Sequence, residues 1–391
     1  MERLLPPIPT DALVPARAKS VTRTFLLGGL LGAALGIAGF LVSQAIAGPV
    51  MKRTVDAMPS ATWAVFGQLV GAWFLSTLGH EVGHLVGGML QGFRFELLVV
   101  GPLEISRDPK TDRLTVGVNT QLELAGGVAA CFPRVGERLI ARLQWMVLGG
   151  PVASVLLALI GFMVWSVNPV APWSAFALFT AVMALLMGIA TMVPMQNGSF
   201  LSDGKRFLQL RRNDAQAHRD AAILLRSVRD RTGIPLADEP ASSIAPMLEP
   251  VDGSMFELVA RISAYAWLLE RQAVPEAREH IERAAALTAG LPFNLEAAVA
   301  LDLAFCRARF EGDADGARAL MATHARAMPL LPATDRLRVE AAIAYAAGDA
   351  VAGARLIAEA RRLIAASPNA RSGQSQWTLA RLSELEASAN P

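Results

Sequence analysis

The chain has 391 residues, enough for two or three domains, and 53% of them are hydrophobic while only 18% are charged. With 36 basic against 34 acidic side chains the net charge is +2, too balanced for a chain that coats nucleic acid, and the apolar content excludes disorder. Two cysteines, Cys131 and Cys306, exclude a disulfide framework and a cysteine zinc cluster.

The charges are unevenly placed. Residues 1–204 hold 13 of the 36 basic side chains and 11 of the 34 acidic ones. No formal charge lies between Thr24 and Met51, only Glu81 between Ala57 and Phe93, and none between Leu143 and Ser202. Four runs therefore read as membrane spans: 24–47, 62–90, 145–167 and 173–193. The first, as a helix, would be ~36 Å long against a hydrocarbon core of about 30 Å. Its rival reading is a signal peptide cleaved after Ala45-Ile46-Ala47; the run is longer than the usual apolar region of such a peptide, which favours an anchor. Asn168-Pro169-Val170-Ala171-Pro172 is a helix-stopping turn between the last two runs.

Basic residues set the orientation. Arg3, Arg17, Lys19 and Arg23 precede the first run; Arg94, Arg107, Lys110, Arg113, Arg134, Arg138 and Arg142 lie between the second and third; Lys205, Arg206, Arg211 and Arg212 follow the fourth. The opposite side has only Lys52 and Arg53. The expectation is a multi-pass protein of the cell (inner) membrane, with both termini and the C-terminal domain cytoplasmic. Residues 93–118 alternate like strands around the turn Asp108-Pro109-Lys110-Thr111-Asp112 and predict a small cytoplasmic β-hairpin or meander.

Within the second run stands His80-Glu81-Val82-Gly83-His84. On a helix, positions i and i+4 share a face, so both imidazoles can reach one metal ion, and neutral imidazole suits zinc. Glu81, beside them, can take a proton from a water at that ion. Ionisable groups inside an apolar span are costly and point to function; a structural polar cluster or a proton relay is the alternative. A catalytic zinc commonly takes three protein ligands. Asp203, the first charge after the fourth run, lies at matching depth and side; it also reads as a helix N-cap before 205–212.

These residues resemble the site-2 protease family of intramembrane zinc metalloproteases. The His-Glu-x-Gly-His motif is 80–84, the Asp-Gly motif is Asp203-Gly204, and Gly150-Pro151-Val152-Ala153-Ser154 is similar to the family's Gly-Pro-x-x-Asn, with Ser154 in place of Asn. The resemblance covers about residues 60–210. It implies Glu81 as general base and acid, and His80, His84 and Asp203 as ligands of Zn2+. Pro194 stands nine residues before Asp203, a longer spacing than the family's, so the loop must bulge or re-enter.

Residues 205–254 read as a connecting helix and a linker, the latter rich in Pro, Ser, Asp and Glu. From 255 to 391 a helical pattern recurs: residues 271–278, 311–318 and 348–355 resemble one another, with their Ala-Arg steps 40 and 37 residues apart, each segment between two helices. This looks like tetratricopeptide-type repeats, with an ordinary Ala-rich bundle as the alternative. His218, His280 and His324 are scattered and expected to be plain surface or partly buried side chains.

The fold class expected is mainly α: a polytopic membrane protein with four transmembrane helices, the β segment and a helical-repeat domain. The function expected is intramembrane proteolysis of transmembrane or membrane-associated substrates near the cytoplasmic face. Its partners would be lipid, a membrane-protein substrate and a protein bound by the repeats, without nucleic acid. The alternative is a membrane-anchored scaffold with a residual, non-proteolytic zinc site.

Overall fold

The computed structural model describes residues 3–9, 48–50, 52–58, 62–108, 111–121, 124–133, 137–197, 200–289, 293–367 and 369–389. The expected span at 24–47 lies outside them. The chain divides into two compact units, residues 19–214 and residues 1–18 with 215–391. The division falls at Asp214, ten residues beyond the limit read from the sequence, because the helix after Asp203 packs with the first unit.

In the unit 19–214, helix α1 (Thr62–Leu90) leads into strands β1 (Phe93–Val100), β2 (Leu103–Arg107), β3 (Leu114–Val118) and β4 (Val128–Pro133), followed by helices α2 (Leu139–Val167) and α3 (Ser174–Met192). Two described helices, α2 and α3, are long and apolar enough to cross a membrane. The expectation of four spans thus narrows to two such helices among the described residues. α1 has the length of a span, but Gln68, His80, Glu81 and His84 dilute its apolar run.

Small residues line the helix contacts. The buried faces read Ala72, Ser76, His80, Gly83 in α1, Gly150, Ser154, Ala158, Gly161 in α2 and Ala177, Ala181, Ala184, Gly188 in α3. Spacings of three and four put each set on one stripe, and small side chains let the backbones approach closely. The outer faces carry exposed Phe66, Val70, Leu156, Leu159, Ile160 and Met163, with Trp63, Trp145 and Trp173 towards the helix ends. The segment 52–58 meets the turn after α2: Trp165 Nε1 donates to Thr54 Oγ1 (2.9 Å), which donates to Pro169 O (2.9 Å).

The sheet is antiparallel, in the order β3-β2-β1-β4. The first three strands form the expected meander. β4 lies outside the expected 93–118; Phe95 opposite Cys131 sets its register on β1. Its short, unalternating Val128-Ala129-Ala130-Cys131 gives a weak strand signal alone, and pairing supplies what the pattern lacks.

After α3, strands β5 (Gln196–Asn197) and β6 (Phe200–Leu201) make a two-stranded hairpin, and α4 (Asp203–Arg212) closes the unit.

The other unit begins with α5 (Ala215–Arg231) and continues through helix pairs α6 (Met255–Glu270) and α7 (Val274–Ala286), α8 (Phe293–Cys306) and α9 (Ala314–Thr323), and α10 (Ala333–Ala346) and α11 (Ala350–Ala366), to α12 (Gly373–Ala389). The three similar turns share one backbone feature: Gln272, Gly312 and Gly348 all have positive φ, the left-handed residue that ends a helix. α12 then returns to the start. Trp377 Nε1 donates to Ala266 O (3.2 Å), Arg381 pairs with Glu270 (3.3 Å), and the Gln374 N–H donates to Asp230 Oδ1 (2.6 Å). A solenoid unit contacts only its neighbours; this set of helix pairs is closed on itself.

Residues 233–254, expected as a linker, are packed: Leu236, Ile244, Met247 and Leu248 are buried, and Trp267 Nε1 donates to Glu239 O (2.8 Å). Polar composition hid four apolar anchors spaced along the segment. His280, expected at or near the surface, is wholly buried: Nδ1 lies 3.4 Å from Arg261, and Nε2 has no partner. Burial, and then the charges of Arg261 and Arg3, push its pKa down to about 3. The imidazole is neutral when folded and takes a proton below about pH 6.5 when unfolded. Its contribution is therefore complete above that pH and is lost as pH falls, at up to about 1.4 kcal/mol per unit. Denaturant melts of wild type and His280→Gln across pH 7.5 to 4 should show the steeper loss in the wild type.

Candidate metal centre

The centre is set by how closely α1 and α2 cross. A Cβ on Gly83 would stand 2.3 Å from Gly149 O, so the two backbones touch there. A Cβ on Gly150 would stand 2.3 Å from His84 Nε2. The glycine inside the histidine motif and the glycine before Pro151 thus have separate reasons: one admits the crossing, the other leaves room for an imidazole.

The crossing lays α2 groups against both rings. His84 Nδ1 is 3.0 Å from Met146 O; a carbonyl only accepts, so Nδ1 carries the proton and Nε2 is left as a lone pair. His80 Nδ1 is 2.9 Å from Ser154 Oγ, so the hydroxyl fixes that side of the ring and leaves His80 Nε2 facing His84 and Asp203. Partners of this kind commonly orient metal-ligating histidines. Ser154 is wholly buried, with Gly188 of α3 packed beside it.

Asp203 comes from the far side of the hairpin. β5 and β6 pair after Pro194, and Ser202 ties the two ends of the loop together. Its hydroxyl donates to Val193 O (2.7 Å) and accepts from the Met195 N–H (2.9 Å), while its own N–H donates to Met195 O (3.0 Å). The same oxygen accepts from the Lys205 N–H, so Ser202, not Asp203, is the N-cap of α4. A Cβ on Gly204 would fall 1.9 Å from Met192 O, so only glycine lets α4 start against the end of α3. Asp203 is thereby the first residue of the helix, its carboxylate turned to the histidines.

The distances then describe a cation site. His80 Nε2 and His84 Nε2 are 3.2 Å apart; Asp203 Oδ2 is 3.2 Å from the first and Oδ1 3.4 Å from the second. Two ring nitrogens and a carboxylate converge on one point, and Asp203 Oδ2 is buried without a hydrogen-bond partner. Tetrahedral zinc with nitrogen and oxygen ligands at 2.0–2.2 Å requires ligand atoms about 3.3–3.5 Å apart. Among the described residues, His80, His84 and Asp203 are the group with the ligand atoms and spacing to hold a metal ion. Glu96 is buried in the sheet and paired with Arg94 (2.7 Å), so it does not join this group. Glu123 lies outside the described residues.

Glu81 borders the same space. Gly127, at the turn into β4, has φ +115°, and a Cβ there would stand 2.6 Å from Glu81 Oε1 and 2.9 Å from Thr77 Cγ2. The sheet therefore lies against the carboxylate that the motif supplies. Residues that sequence reasoning missed are Ser202, Gly127 and the Met146 carbonyl; only Ser202 leaves a sequence trace, as a cap three residues before Lys205. Ser154 was noted as a departure, without the bond it makes.

Comparison of the chain with family models, with curated proteins and with solved structures finds no match.

The geometry makes Ser154 a positioning residue for His80. Ser154→Ala should lower metal affinity about 10–100-fold in a chelator competition, and Asp203→Ala should bind metal more weakly still. Equal affinity of Ser154→Ala and wild type would contradict this role.

Proposed function

We propose that the chain is an intramembrane zinc endopeptidase of the site-2 protease type, hydrolysing a peptide bond of a transmembrane or membrane-associated protein near the cytoplasmic face. The observation that carries this reading is the convergence of His80, His84 and Asp203, with Glu81 alongside, between helices whose outer faces are apolar. A bound zinc ion would act there as a Lewis acid and bring the pKa of its water towards ~7. Glu81 takes the proton from the attacking water and returns it to the leaving amine. The Gly127 turn limits where its carboxylate can sit. β4, an edge strand of the sheet that begins next to Gly127, offers backbone groups to an unwound substrate segment, which must leave its helix before its peptide bonds are accessible. The helix-pair unit serves recruitment or regulation through protein contacts.

The scaffold reading drew on Ser154 and on the long loop before Asp203. Ser154 holds His80, and the loop is closed by Ser202 so that Asp203 faces the histidines; neither feature weakens the metal site. Glu81→Gln separates the readings. It should keep its zinc, since Glu81 is not a ligand, and lower cleavage of a model transmembrane substrate by about 10²–10⁴-fold. Unchanged cleavage would end the enzymatic reading.

Four crossings with both termini cytoplasmic complete the proposal. Residues 3–9 and 215–391 belong to one unit, which supports an even number of crossings between them. The contact of Thr54 with Pro169 supports placing the loops around 52 and 168–172 on one side. Cys131 and Cys306 are buried, and burial raises their thiols to about 11 and about 12, so the native cysteines leave the background quiet. In intact cells an impermeant thiol reagent should label Val55→Cys and miss Val351→Cys, both positions being exposed. The reverse pattern would overturn the orientation.

A further inference from the structure

Arg3-Leu4-Leu5-Pro6-Pro7-Ile8-Pro9 is built to stay extended: its prolines fix φ and withhold N–H groups from any helix. The segment forms no helix or strand, yet it is docked. Leu5 is 3% exposed and belongs to the core of the helix-pair unit. The Leu4 N–H donates to the Glu276 carboxylate (3.2 and 3.3 Å), and the Arg3 guanidinium pairs with Glu279. Leu4, Pro6, Pro7 and Pro9 remain exposed. Attachment therefore rests on three consecutive residues: a basic side chain, a backbone N–H and one leucine anchor.

The receiving surface does not need this segment in order to exist. Glu276 and Glu279 are three apart on one face of α7. Glu276 lies in the first turn of α7, where the helix dipole favours an acid. Among the described residues, the only hydrogen-bond and ion-pair partners of Glu276 and Glu279 are Leu4 and Arg3. Without residues 3–9 this face would be a pre-formed acidic rim beside an apolar socket.

We propose that this face of α7 is a docking site for an extended Arg-x-Leu segment at the cytoplasmic end of a substrate's transmembrane helix, and that residues 3–9 occupy it in cis. The inference rests on the membrane-protein substrate read above. Cytoplasmic ends of membrane proteins concentrate Lys and Arg next to apolar residues, which is the chemistry this surface receives. A tethered segment competes at high effective concentration, so an incoming segment must displace it. Access to the recruiting surface is thereby set by the chain itself.

The test uses the full chain carrying Glu81→Gln, so that binding is read without cleavage, and a fluorescent synthetic peptide with the sequence of residues 3–9. Deletion of residues 2–9 should tighten peptide binding at least tenfold over the undeleted chain. Glu276→Lys with Glu279→Lys in the deleted chain should remove binding, as should Leu5→Asp in the peptide. Should the deletion unfold the unit, Arg3→Glu in the intact chain removes the ion pair with Glu279, leaves the leucine able to exchange, and should still raise peptide binding. No binding to either opened chain, or equal binding to opened and undeleted chains, would overturn the proposal. Peptide binding needs neither metal nor cleavage. A chain that binds peptide but cleaves nothing therefore refutes the protease reading alone, and an active protease that binds no peptide refutes this one alone.

Discussion

The backbone contact between Gly83 and Gly149 is the constraint on which the candidate metal centre depends. Two helices that cross at this distance cannot slide or rotate without collision, so every group flanking the contact is located by it. Met146 O meets His84, Ser154 Oγ meets His80, and Gly150 leaves His84 its space. A larger residue at 83 would push α2 away and loosen both histidines at once. Such close packing and the hydrogen bonds it permits hold the two helices in one register.

Asp203 is brought to the site by a different device. α3 ends, the chain makes a hairpin, and α4 begins almost where α3 stopped. Ser202 satisfies Val193 O, the Met195 N–H and the first turn of α4 with a single hydroxyl, and Gly204 removes the side chain that would collide with Met192 O. Loop length is thus decoupled from ligand position, because closing a longer loop costs little extra entropy once its ends are pinned. The hairpin itself can vary without moving Asp203.

The helix-pair unit is organised around buried charge. Glu257 is fully buried and accepts from Arg283 (3.0 Å), Arg261 (3.4 Å) and the Asp252 and Gly253 N–H groups (2.9 and 2.7 Å). Arg338 pairs with Asp302 (2.7 Å) and stacks on Phe305 and Trp377, 4.5 and 4.8 Å from the ring centroids. Buried pairs of this kind often add little net stability, but removing one partner strands a charge and is costly. Here they join helices distant in sequence, α8 to α10 and α10 to α12, and so specify the closure that Trp377 and Arg381 complete.

What the sequence determined by itself was local chemistry and periodicity. His80, Glu81 and His84 are legible because i, i+4 spacing puts both rings on one face, and the β1–β3 meander because alternation and a turn declare it. The three helix-pair turns are legible because residues 271–278, 311–318 and 348–355 resemble one another. Only the tertiary structure decided the rest. β4 became a strand through pairing with β1, residues 233–254 became core through four scattered apolar anchors, and the helix pairs closed into a ring through α12. Ser154 acquired its role by touching a residue 74 positions away. Each of these depends on contacts between segments far apart in the chain, whose free energy belongs to the meeting of two surfaces and is encoded in neither alone.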